Sequence, residues 1–129
     1  MHDERSQMQQ PEHRRQLILR RVEQTLTRKN TEFILDHQND SLEALSKYLQ
    51  ACMESIGHPP ARVEVIGGDY IEYRFGTWQK ALRSFYAGKM TEAKNPPPFE
   101  DRQIVHELYD AEEARLQKRE APHGKEVQV

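Results

Sequence analysis

Long apolar runs are the first thing missing from this chain of 129 residues. No stretch reaches the roughly 20 consecutive apolar residues with which a helix crosses a bilayer. The segment Met1 to Pro11 is polar and carries no signal-peptide core, so no membrane role is expected. Cysteine is nearly absent as well. Cys52 stands alone, which excludes an internal disulfide and a zinc knuckle and fits a reduced, cytoplasmic setting. Net charge is also scarce: 19 Lys and Arg against 21 Asp and Glu leave a formal -2. No global field therefore draws a polyanion, and any such attraction must be local. With 36% hydrophobic residues and 31% charged, one modest domain with much solvated length is expected.

Catalytic constellations are missing too. Asp36, His37 and Asp40 share a stretch, but no nucleophile stands near them in sequence. Gly67-Gly68-Asp69 lacks the lysine and the strand-loop-helix setting of a phosphate loop. His106 and Asp110 are four apart on one helix, a spacing that any helix surface produces, and no His-Glu-x-x-His motif occurs. No enzyme activity, cofactor or metal is expected.

Helical periodicity is what is present, and it predicts an all-α fold with a helix-turn-helix-like corner and an appended C-terminal helix. Residues 1–11 read as a disordered tail. Glu12 to Arg28 reads as a helix with Leu17, Ile18, Val22, Thr25 and Leu26 on one side and Arg14, Arg15, Arg20, Arg21 and Arg28 on the other. A stop or short turn at Asn30 or Thr31 precedes a loop at 36–40. Ser41 to Ile56 carries the clearest stripe: Leu42, Leu45, Leu49, Cys52 and Ile56. Ser41 is its N-cap, Gly57 its C′ residue, and Pro59-Pro60 bar continuation. Ala61 to Ile66 reads as a helical turn or a short strand, with its setting favouring the turn. Tyr70 to Phe75 follows, capped by Asp69, then Trp78 to Tyr86, capped by Thr77. Lys89 to Phe99, with Asn95-Pro96-Pro97-Pro98, reads as an extended linker. Glu100 to about Arg119 is a last helix, and 120–129 a disordered tail. The helical domain thus spans 12–90 and the linker 91–99. Its expected core is Leu45, Leu49, Cys52, Ile56, Ile71, Phe75, Trp78, Leu82 and Phe85.

The run Arg74-Phe75-Gly76-Thr77-Trp78-Gln79-Lys80-Ala81-Leu82 sits at the corner between two short helices. Together with Ile56-Gly57-His58-Pro59-Pro60 and Ile71, it resembles the homing-endonuclease (HNH) associated repeat, over 42–88. The resemblance implies a small helical module that contacts DNA. It departs from the family at Phe85-Tyr86-Ala87-Gly88, where a small ending is usual. No His-Asn-His nuclease core accompanies it.

Cations concentrate around this corner. Between Tyr73 and Lys94 stand five Lys and Arg and one acid, Glu92. Such cations govern nucleic-acid affinity, because each phosphate they neutralise releases counterions. Lys80 and Arg83 neighbour each other on one helix side, and Gln79 and Arg83 are types that read adenine and guanine edges. The candidate nucleic-acid-binding set is Arg62, Arg74, Gln79, Lys80, Arg83 and Lys89, with double-stranded DNA as the expected partner. The competing use is a solvated or protein-contacting face. A homodimer or protein partner would then meet the C-terminal helix at Ile104, Val105, Leu108 and Tyr109. The basic side of the first helix either extends the cationic surface or meets Glu107, Asp110, Glu112 and Glu113, in this chain or in a second copy.

Overall fold

The computed structural model describes residues 11–120, which hold six α-helices and no strand. Helix α1, Pro11–His37, is the longest. It runs well past the expected stop near Arg28 and replaces the turn expected at 30–37. Asn30 and Thr31 favour caps on propensity, but packing overrides that preference. The Asn30 side-chain oxygen accepts from the Gly67 N–H at 2.7 Å, and Phe33 enters the core at 6% exposure. The buried stripe of α1 is Ile18, Leu19, Val22 and Phe33, while Leu17 is exposed.

Helix α2, Leu42–Ile56, has the expected ends. The Ser41 hydroxyl accepts from the Ala44 N–H at 3.1 Å, and the Gly57 N–H donates to the Met53 carbonyl. A single 3₁₀ turn at Arg62–Glu64 follows the Pro-Pro break, so the turn, not the strand, forms. The buried Glu64 carboxylate accepts from the Ala61 N–H at 2.8 Å, a side-chain partner for an amide left free at a helix start.

Helix α3, Gly68–Phe75, begins two residues earlier than expected, and its N-cap is Gly67, not Asp69. Gly67 has φ +80, and a Cβ there would lie 2.3 Å from the Phe33 ring. Only glycine meets both demands. Asp69 instead sits exposed in the first turn and pairs with Arg62. Helix α4, Trp78–Arg83, is capped by Thr77, whose hydroxyl accepts from the Lys80 N–H at 3.0 Å. It ends at Arg83 rather than Tyr86.

The stretch expected to be an extended linker is partly helical. Helix α5 spans Thr91–Lys94, a 3₁₀ turn covers Phe99–Asp101, and α6 runs Gln103–Glu120, starting later than Glu100. Met90 is buried and Ala93 packs on the same core as Leu45, Ile71 and Leu82, which holds this segment against α2, α3 and α4. The proline run supplied the linker reading and masked that apolar pair. The disordered tails expected at the two ends fall, at residues 1–10 and 121–129, outside the described residues.

Two apolar clusters organise these elements. The first gathers Phe33, Leu45, Leu49, Val65, Ile71, Ala81, Leu82 and Met90, with Cys52, Ile56, Phe75, Trp78 and Phe85 packed half-buried around them. The second joins Ile18, Leu19 and Val22 of α1 to Val105 of α6, flanked by Leu108, Tyr109 and Leu116. Helix α6 thus docks on α1 of its own chain, through apolar side chains more than charge. Among Glu107, Asp110, Glu112 and Glu113, only Glu112 has an ion pair among the described residues, with Arg115 of its own helix. The described ion pair between α1 and the C-terminal segment is Arg15 with Glu100, ahead of α6.

Candidate nucleic-acid interface

The corner is fixed by polar bonds from its large side chains. The Trp78 indole N–H donates to the Pro60 carbonyl at 3.0 Å, and the Tyr48 hydroxyl donates to the Ile66 carbonyl at 2.8 Å. Buried indole and phenol groups need such partners. They tie α4 to the Pro-Pro break and α2 to the turn before α3. Gly76, at φ +99, makes the bend between α3 and α4. A single glycine in that conformation costs far less than a side chain would.

The six cation and amide candidates separate into a pair, a group of three and Lys80 by itself. Arg62 and Arg74 hold the fold together. The Arg62 guanidinium pairs with Asp69 at 2.9 Å and Glu72 at 3.1 Å, which fastens the 3₁₀ turn to α3. Arg74 donates to the Asp40 carbonyl at 2.6 Å and to the Tyr70 hydroxyl at 2.9 Å, and lies over the Tyr70 ring. It closes the α1–α2 turn against α3. The same turn holds the Asp36-His37-Asp40 stretch. There His37 donates to the Asp40 carboxylate at 2.7 Å and stacks on Phe33, so these groups are spent on the joint.

Gln79, Arg83 and Lys89 come together. With Met90, Thr91, Lys94 and Asn95 they line one open concavity of about 310 Å³ between α4 and α5. Lys94 joins them from outside the expected set. Among the described residues no carboxylate lines this surface. Arg83 spends one guanidinium nitrogen on the Tyr86 and Gly88 carbonyls, at 3.3 and 2.9 Å. That pins the loop carrying Lys89 and leaves its other nitrogens without a partner among the described residues. Lys80 is exposed on α4, and its side chain passes within 3.9 Å of the Cβ position of Gly76.

Residues 40–85 match the homing endonuclease associated repeat. Neither the curated proteins nor the solved structures contain a match to the chain. The repeat begins at Asp40, whose carbonyl Arg74 grips, and ends at Phe85, which packs on its core. Its fold leans on residues outside those limits. Phe33 and Asn30 come from α1, and Met90 closes the far side. The concavity likewise straddles the repeat's end, with Gln79 and Arg83 inside it and Lys89 and Lys94 beyond.

Two ionisable groups of the repeat have shifted proton affinities. Burial, with Cys52 beside it, pushes the Tyr48 phenol well above its ordinary value of 10. Burial also raises the Cys52 thiol, against an opposing hydrogen bond from Tyr48. A thiol raised in this way is a poor nucleophile at neutral pH. Among the described residues no helix is long and apolar enough to cross a membrane.

Proposed function

We propose that this chain is a non-enzymatic accessory protein of DNA, working in the reduced cytoplasm, whose α4–α5 face rests on the phosphodiester backbone. The observation that carries this reading is the concavity lined by Gln79, Arg83, Lys89 and Lys94, with no carboxylate among its described lining residues. In a chain of net charge -2, three cations converge there from two sides of one surface, with Lys80 exposed on the same helix. The family match adds the association with proteins that act on DNA. Arg62 and Arg74 are positioning residues in this reading, since their guanidinium groups already serve internal acceptors.

The geometry favours backbone contact over base reading. Bidentate recognition of guanine needs a guanidinium free to present two parallel donors, and Arg83 is partly tied to its own loop. Sequence preference should therefore be weak.

The test is fluorescence anisotropy of a labelled duplex over a salt series. Four phosphate contacts give a log-log salt slope of about -3.6. Replacing Lys80, Arg83, Lys89 and Lys94 together by Gln should remove most of that slope. An affinity that ignores salt would overturn the reading.

A further inference from the structure

Helix α6 is acidic in its middle, at Glu107, Asp110, Glu112 and Glu113, whereas Arg115, Lys118 and Arg119 follow in its last turns. Together with Arg21 of α1 these three line an open concavity of about 330 Å³ floored by Leu116. Among the described residues one carboxylate, Glu112, shares the lining. It is 7% exposed and held by Arg115 at 3.0 Å, so its charge is answered within the helix. Arg21, Lys118 and Arg119 have no ion pair among the described residues. Cations in a last helical turn complement the helix dipole, which accounts for Lys118 and Arg119 alone. Arg21 has no such account: it comes from the middle of another helix and meets them across the gap.

We infer that this α1–α6 cleft is a second phosphate-backbone contact for the same DNA. The inference rests on the α4–α5 reading for the identity of the partner, but on none of its residues: the two concavities share no side chain and no helix. A cleft with apolar walls and cations of one sign concentrates the field that draws a polyanion. The aliphatic stems and Leu116 supply such walls here. The acidic composition of α6 predicts a helix that repels DNA; its basic end reverses that at the place where it meets Arg21.

The test adds one variant to the salt series, Arg21→Gln/Lys118→Gln/Arg119→Gln, with Arg115 kept to hold Glu112. All three side chains are exposed, so the variant should melt at the wild-type temperature; melting of both variants is recorded to show that each is folded. Loss of three contacts should lower the magnitude of the slope by about 2.7 and weaken binding at low salt at least tenfold. A folded variant with the wild-type affinity and slope overturns this inference and leaves the α4–α5 reading standing. A loss in this variant with none in the α4–α5 variant supports the cleft and overturns that first reading. An intact wild-type protein that does not bind duplex overturns both.

Discussion

Gly67 and Gly76 both hold the backbone in the left-handed region, but they answer to different neighbours. A Cβ at Gly76 meets nothing closer than the Lys80 side chain at 3.9 Å, whereas one at Gly67 runs into the buried Phe33 ring at 2.3 Å. Gly76→Ala should therefore cost only the backbone strain, about 1–2 kcal/mol. Gly67→Ala adds overpacking of the core, for a total of about 3 kcal/mol or more. Thermal melting checks the order: Gly67→Ala must melt well below Gly76→Ala. Tyr48 carries a prediction of pH. The unfolded phenol loses its proton near 10, while the folded one, raised by burial, keeps it. Above 10 the unfolded state binds fewer protons than the folded state, so this group's contribution to stability falls as pH rises. Denaturant melts at pH 9 and 11 should show a smaller loss in Tyr48→Phe than in the wild type. Cys52, with its raised thiol, should react slowly with a thiol reagent at neutral pH until the chain is unfolded.

At the scale of elements, the sequence was most legible where local signals and packing agree. Ser41, Gly57, Thr77 and Gly76 end their helices as their side chains or their lack of one dictate. Leu45, Leu49, Ile71 and Leu82 are buried as the stripes require. It was least legible where a distant element decides. Asn30 looks like a stop until Gly67 supplies its hydrogen-bond partner, and Met90 looks like linker until the core receives it. Of the expected site, Gln79, Arg83 and Lys89 share one surface, while Arg62 and Arg74 carry charge that local acceptors already use. No pattern in the sequence marks an acceptor such as the Asp40 carbonyl. The dependence of the repeat on α1 makes a prediction. A fragment of residues 40–90 lacks Phe33 and Asn30, so it should show weaker helical circular dichroism per residue and a lower melting temperature than a fragment of residues 11–90. Equal melting of the two would mean that α1 contributes nothing to the repeat.

Across the whole molecule, α1 is the member common to both apolar clusters: it gives Phe33 to one and Ile18, Leu19 and Val22 to the other. Removing buried atoms at either end should destabilise both. Ile18→Ala, in the cluster that contains no part of the repeat, should cost about 2–5 kcal/mol and lower the melting temperature of the repeat as well as that of α6. The chain's one tryptophan makes this visible. Trp78 is bonded to Pro60 inside the repeat and has no counterpart in the α1–α6 cluster. Its emission is a gauge wired to one core alone, while far-ultraviolet dichroism averages over every helix. Coincident curves from the two signals are the optical signature of a single cooperative body; an emission change that lags the dichroism would make the same indole a clock for which half lets go first.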